Sequence, residues 1–143
     1  MAAASKKILI VDDEPYVIHV VRFKLEQAGY EILVANNANT AYDMACADAP
    51  DLVITDFQMP GSSGLDLAMK LRKNPSTADT PIVMLTARGH LARLSELAET
   101  NVRTLLAKPF SPRNLLTKVN ELLADPSASG SGEGDGASGV AAA

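Results

Sequence analysis

Acidic side chains are the residues of this sequence whose type and spacing could do chemistry. Asp12, Asp13 and Glu14 follow one apolar run, and Asp56 closes another. If both runs are parallel strands, their carboxyl ends meet at the edge of the sheet where ligands bind. Carboxylates crowded together raise one another's pKa unless a cation lies between them. A hard divalent ion that works with phosphate oxygens suits such a set, so the pattern predicts a Mg²⁺ site.

Thr86 and Lys108 end two further apolar runs. A lysine near the end of a buried strand is costly without a partner, so Lys108 should pair with Asp56 or with a phosphoryl oxygen attached to it. Thr86 could donate a hydrogen bond to the same oxygen. Asp56 then has the role of a carboxylate nucleophile that accepts a phosphoryl group in line, and the added charge would reorder a nearby loop through Thr86.

Each of these residues also has an ordinary structural explanation. Acids after a first strand commonly cap the following helix, and Asp13 or Glu14 would do so. Asp56 could be a plain strand-end aspartate, Thr86 a packed β-branched residue and Lys108 a solvated lysine. Together these residues lie at the ends of four of the five apolar runs, and the remaining run, residues 31–35, ends in no comparable group. This joint placement favours a phosphoacceptor site.

The elements that must hold these groups alternate along residues 5–124. The β-rich runs are apolar throughout, which is typical of parallel strands covered on both faces. They lie at residues 7–12, 31–35, 51–56, 81–86 and 103–108. Amphipathic stretches predict helices at residues 15–28, 38–48, 63–73, 90–99 and 112–123. A (βα)5 pattern with right-handed crossovers predicts a flavodoxin-like α/β fold, a doubly wound, five-stranded parallel sheet in the order 2-1-3-4-5.

Composition limits the chain to one globular domain. Its 143 residues carry a net charge of -4, but three of the 17 acids lie in the Gly, Ser and Ala-rich residues 125–143, which cannot bury a core. We expect a domain at 5–124 and a disordered tail at 125–143. The body is then almost neutral, which gives no support for bulk attraction to nucleic acid or anionic lipid. A single cysteine and no apolar run longer than four residues predict a cytoplasmic protein without membrane insertion.

Four segments carry a family resemblance: ILIVDDEP (8–15), DLVITDFQMPGSSG (51–64), PIVMLTA (81–87) and LAKPF (106–110). Together they resemble the receiver domain of two-component response regulators, of the single-domain chemotaxis or phosphorelay type, over about residues 6–123. The resemblance implies Asp56 as phosphoacceptor and a Mg²⁺ ion held by Asp12, Asp13, Asp56 and the backbone carbonyl of Gln58. It also implies Thr86 as the switch hydroxyl, Lys108 as the phosphoryl-binding lysine and a cis Lys108–Pro109 bond.

The resemblance implies partners as well. A histidine kinase or a histidine phosphotransfer protein would donate the phosphoryl group. Output would pass to a protein partner through the face of the fourth helix, fifth strand and fifth helix. The protein would be no enzyme beyond Mg²⁺-dependent self-phosphorylation and autodephosphorylation. No DNA-binding or catalytic domain is expected to follow, so no direct contact with nucleic acid is predicted.

One departure from the family pattern leaves a second function open. Three residues before Lys108, where the family commonly has a tyrosine or phenylalanine that moves inward on activation, this chain has Leu105. A phosphorylation-independent binding or scaffold domain on the same fold is therefore the alternative. A phosphatase of the haloacid dehalogenase type is disfavoured, because it needs a second aspartate two residues after the nucleophile, where this chain has Gln58.

Overall fold

All five predicted strands form, and they make one parallel sheet. A computed structural model describes residues 6–58, 61, 63–86 and 100–124. The strands are β1 (Lys7–Val11), β2 (Glu31–Ala35), β3 (Leu52–Asp56), β4 (Ile82–Thr86) and β5 (Val102–Ala107). They lie in the order β2-β1-β3-β4-β5, and every adjacent pair is parallel. The predicted doubly wound α/β fold and its strand order are confirmed.

Four helices lie within the described residues: α1 (Pro15–Gln27), α2 (Ala38–Asp48), α3 (Gly64–Lys73) and α4 (Pro112–Leu123). The helix predicted at 90–99 and the tail predicted at 125–143 lie outside them, so α4 is the helix predicted fifth along the chain. Helix α4 begins at the residue that the sequence predicts. Pro112 occupies the first turn, and the hydroxyl of Ser111 accepts a hydrogen bond from the backbone N–H of Asn114 at 3.3 Å.

The core lies on both faces of the sheet, because successive side chains of each strand point to opposite sides. On one face Ile10 packs with Leu115 and other residues of α1 and α4, and on the other Val53 packs with Leu67 and other residues of α2 and α3. Burial on both faces explains why the strands are apolar throughout. Polar residues are consequently displaced to the strand ends, where they can share a crevice.

One irregularity separates β5 from the other strands. Ile82 pairs with Val102 but Val83 pairs with Thr104, so Arg103 is an extra residue in β5. Such a bulge changes which face of the sheet the side chains of the following residues point to. Leu105 therefore lies opposite Met84 and packs, partly buried, on the face that α2 and α3 cover. Lys108, predicted to end the strand, lies one residue beyond it.

No helix in the described part of the chain is both long and apolar enough to cross a membrane.

Candidate functional site

Three aspartates converge at the carboxyl ends of the two central strands. Asp12 follows β1 and Asp56 ends β3, and these strands pair directly, with Val11 opposite Thr55. Carboxylate oxygens of Asp12, Asp13 and Asp56 all lie within 4.8 Å of one another. Asp12 is fully buried and Asp56 is 7% exposed, whereas Asp13 is open to solvent. The structure thus brings together the three acids that the sequence predicts for this site.

Lys108 crosses from the end of β5 into the same group of acids. Its ammonium Nζ lies 3.1 Å from Oδ2 of Asp12 and 3.1 Å from Oδ1 of Asp56. It also lies 3.2 Å from Oε1 of Glu14, a contact that the sequence does not predict. The Lys108–Pro109 peptide bond is cis. The lysine therefore has three carboxylate partners where sequence reasoning assigned it to Asp56.

Burial and charge set the acidity of these groups. Burial raises the pKa of Asp12, against the opposing effects of the Glu14 backbone N–H and the Lys108 ammonium. Burial, together with the charge of Asp12, raises the pKa of Asp56, although Lys108 again opposes the shift. For Lys108, burial lowers the pKa, but hydrogen bonds to Asp56 and Asp12 outweigh it and the net pKa is raised. The charged form of Lys108 is therefore stabilised, whereas the charged forms of Asp12 and Asp56 are destabilised.

The donor set fits a hard divalent cation. Three carboxylates supply oxygen ligands, the ligand type that Mg²⁺ prefers, and the exposed Asp13 leaves room for retained waters. A cation there would oppose the burial and the Asp12 charge that together raise the pKa of Asp56. Gln58, whose carbonyl is the further predicted ligand, is exposed two residues beyond Asp56. Its part in metal binding stays a prediction.

Thr86 lies at the same end of the sheet as Lys108. It ends β4 and is 2% exposed, and its backbone carbonyl accepts a hydrogen bond from the N–H of Lys108 at 2.8 Å. Asp56 pairs with the neighbouring Leu85 across the β3–β4 ladder. Strand pairing alone therefore places the threonine next to the lysine and close to the aspartate, as parallel strands ending at one edge require.

Two residues near the site make contacts that the sequence did not predict. Glu14 is the N-cap residue of α1, but its side chain makes no capping hydrogen bond and contacts Lys108 instead, so the capping alternative is wrong for Glu14. Gly64, the first residue of α3, lies directly beneath Asp56. A Cβ atom on Gly64 would overlap the carbonyl oxygen of Asp56 and lie 3.0 Å from its carbonyl carbon. Neither contact has a local sequence signal.

The fold and the site together define a flavodoxin-like α/β domain with an acidic crevice and one lysine at the carboxyl ends of its strands. The chain belongs to the response regulator receiver domain family, whose model it matches over residues 8–120. It is therefore a receiver domain of two-component systems.

Individual relatives agree with this assignment. The chain is 40% identical over 119 residues to the phosphate regulon transcriptional regulatory protein PhoB of Pseudomonas aeruginosa, a match that covers 83% of this chain and 52% of PhoB. It is 36% identical to the transcriptional regulatory protein SrrA of Staphylococcus aureus, covering 83% of this chain and 48% of SrrA. The chain thus spans about half the length of these curated relatives.

Among solved structures, the chemotaxis response regulator CheY4 of Vibrio cholerae is similar, with a TM-score of 0.78 and 30% identity. That match covers 84% of this chain and all of the CheY4 chain.

Proposed function

We propose that this receiver domain accepts a phosphoryl group on Asp56 from a histidine kinase or a histidine phosphotransfer protein. The observation that carries the proposal is the position of the Asp56 carboxylate, which is nearly buried, lies beside two other aspartates and contacts Lys108 at 3.1 Å. A carboxylate in this setting can act as a nucleophile, and the lysine can neutralise charge that develops on the transferring group. Mg²⁺ held by Asp12, Asp13, Asp56 and the Gln58 carbonyl would supply further positive charge to the phosphoryl oxygens.

The chemistry is a displacement at phosphorus. One carboxylate oxygen of Asp56 forms a bond to phosphorus while the bond from phosphorus to the donor nitrogen or oxygen breaks, and the leaving group takes that electron pair. The product is an acyl phosphate. The Lys108 ammonium exchanges its contact with the Asp56 carboxylate for one with a phosphoryl oxygen. Thr86, which is buried next to Lys108, donates a hydrogen bond from its hydroxyl to the same phosphoryl group. Hydrolysis returns the carboxylate, so the domain catalyses only its own modification and its reversal.

The donor is expected to dock beside α1. Tyr16 and Phe23, 78% and 59% exposed, lie about two turns apart on the same face of this helix. Next to Tyr16 is a groove of about 450 Å³, which we call the α1 groove. It is lined by Glu14, Tyr16, Val17, Val20, Lys108, Pro109, Phe110 and Pro112. Because the groove shares Lys108 and Glu14 with the acidic site, a partner seated there is beside Asp56, and its exposed apolar side chains give that partner area to bury.

Output is proposed to pass to a downstream protein through the face of β5 and α4, together with the helix that the sequence predicts at residues 90–99, outside the described residues. Leu105, on β5, packs against the core opposite Met84 and so links this face to the strand that ends in Thr86. From the composition we infer that residues 5–124 form the domain and that residues 125–143 are a tail outside its core. We also infer a cytoplasmic protein without membrane insertion or direct contact with nucleic acid.

The test is phosphorylation by a small donor. The protein is incubated with acetyl phosphate and Mg²⁺ and its intact mass is measured; we expect a gain of one phosphoryl unit that disappears in Asp56→Asn. Asp43→Asn, an exposed acid on α2, is the matched control and should be modified like the wild type. A wild type that stays unmodified over a range of Mg²⁺ concentrations, or an Asp56→Asn variant that is still modified, would overturn the proposal.

The alternative is a phosphorylation-independent scaffold, and Leu105 is the observation that favours it. An aliphatic side chain already packed on the core lacks the hydroxyl or ring edge of the aromatic residue common at this position. Equal signalling output from the wild type and Asp56→Ala in cells, with phosphorylation of the wild type shown by mass, would support the scaffold function over the proposed one.

A further inference from the structure

Glu14 is a member of the site that the proposed mechanism does not use. Its Oε1 lies 3.2 Å from Nζ of Lys108, close to the 3.1 Å that separates Nζ from both Asp12 and Asp56. A lysine ammonium has three N–H donors. Each donor of Lys108 can therefore be matched by one of these three carboxylates, and any phosphoryl oxygen that arrives must share the lysine with them.

The residue that follows Glu14 restricts its backbone. Pro15, the first residue of α1, restricts the residue before it to extended backbone, and Glu14 has φ -100° and ψ 113°. Its backbone N–H donates to Oδ1 of Asp12 at 2.9 Å, which fixes the chain at this point. The side chain makes no capping bond to α1 and is free to reach Lys108. The Glu14 carboxylate thus contacts Lys108 from the solvent-exposed side of the site.

Burial separates the roles of the three carboxylates. The side chain of Asp12 is fully buried and that of Asp56 is 9% exposed, so removing either from Lys108 leaves a charge with little water. The side chain of Glu14 is 61% exposed and can be hydrated when it leaves the lysine. Glu14 is consequently the exchangeable partner, and changing it should not unfold the domain.

We propose that Glu14 is a positioning residue that competes with the phosphoryl group on Asp56 for Lys108 and thereby slows phosphorylation. The proposal rests on the phosphorylation of Asp56 proposed above. When an Asp56 oxygen bonds to phosphorus and the acetate of acetyl phosphate leaves with its electron pair, the charge carried by Asp56 rises from one negative unit toward two. Oε1 of Glu14 and Oδ1 of Asp56 both contact Nζ, so this charge grows close to the Glu14 carboxylate.

Neutralising Glu14 should therefore accelerate the reaction. One added unit charge about 6 Å away in a largely solvated setting corresponds to about a threefold change in rate. We expect Glu14→Gln to be phosphorylated by acetyl phosphate two to five times faster than the wild type, by that same order-of-magnitude reasoning, at Mg²⁺ concentrations that saturate each protein. Glu14→Asp, which keeps the charge, should be slower than Glu14→Gln and closer to the wild type.

The control is Glu26→Gln, which removes the same charge from α1 but at a glutamate paired with Arg22 at 3.0 Å. Its rate should equal that of the wild type. The gain in Glu14→Gln should also shrink at 1 M salt, where screening acts over about 3 Å, a dependence that a structural defect would not show.

A Glu14→Gln rate equal to or below the wild type, or an equal gain in Glu26→Gln, would overturn the role of Glu14. Wild-type protein that is modified on Asp56 while Glu14→Gln shows no gain refutes this inference alone. Wild-type protein that is never modified refutes the proposed function.

Discussion

Gly64→Ala tests whether the backbone beneath Asp56 sets the geometry of the site. Gly64 is the first residue of α3, and its N–H donates to the carbonyl oxygen of Phe57 at 2.7 Å, closing the loop that leaves β3. An alanine Cβ would overlap the Asp56 carbonyl oxygen and lie 3.1 Å from Cα of Phe57. Both neighbours are backbone and cannot rotate away, so the strand end or the start of the helix must move.

The magnitude follows from two opposing effects. Alanine is favoured over glycine in a helix by about 1 kcal/mol, but overpacking against fixed atoms costs about 1–3 kcal/mol and here involves backbone. Because both clashing atoms are backbone, the overpacking cost lies at the upper end of its range, and we expect Gly64→Ala to lower the free energy of unfolding by about 2 kcal/mol. For a folded domain of this size, each kcal/mol lowers the Tm by about 4 °C. Because Asp56 is displaced, its phosphorylation by acetyl phosphate should slow by about tenfold to a hundredfold.

The assay pairs thermal unfolding with phosphorylation rates measured well below the Tm. Gly29→Ala is the control, since Gly29 has φ +100° with no atom within 4 Å of the added Cβ, and it lies in the turn between α1 and β2 at the other end of the sheet. It should lose about 1–2 kcal/mol through backbone strain yet be phosphorylated at the wild-type rate. If Gly64→Ala keeps wild-type stability and rate, or if Gly29→Ala slows phosphorylation equally, the reasoning is wrong.

Two further predictions concern charge and docking. Without divalent ions, the raised pKa of Asp56 means that the folded state holds its proton more tightly than the unfolded chain, so the wild type loses stability as pH rises from the ordinary value of 3.8 through the folded pKa. The side chain of Asp56→Asn cannot titrate. With a chelator present, the Tm of this variant minus that of the wild type should therefore increase over this pH range and then become constant. A Tm difference that decreases with pH would contradict the prediction. Tyr16→Ser with Phe23→Ser should slow phosphotransfer from a cognate histidine-containing donor about tenfold or more, while phosphorylation by acetyl phosphate, the internal control, stays unchanged; equal loss with both donors would count against docking on α1.

Local sequence signals were enough to predict the fold. The apolar runs mark the strands to within one residue, and Ser111 with Pro112 marks the start of α4, because strand burial and helix capping act over a few neighbouring residues. The strand order was predicted from the rule that ligands bind at the point where the order of the strands reverses. This rule places β1 and β3, which carry the acids, side by side. The bulge at Arg103 was not predicted, since register depends on the partner strand rather than on the sequence of β5 alone.

The site was predictable as a set of residues but not as a set of contacts. Convergence of Asp12, Asp56 and Lys108 follows from topology, because all three lie at the carboxyl ends of parallel strands in one sheet, with β1 next to β3 and β5 two strands from β3. Which carboxylates the lysine contacts depends on side-chain conformations and on the backbone that Pro15 imposes on the residue before it. The pairing of Lys108 with Glu14 could therefore be seen only in three dimensions.

The excess of negative charge at the site favours the binding of a cation. The site brings together the four carboxylates of Asp12, Asp13, Glu14 and Asp56 with the ammonium of Lys108, which contacts three of them. This group carries a formal excess of three negative charges when all are ionised. The raised pKa of both buried aspartates is the expected consequence of burial together with this crowding. Phosphorylation adds negative charge to a crevice that already has too much. A divalent ion and the release of the most exposed carboxylate, Glu14, are the two ways in which these residues can accommodate it.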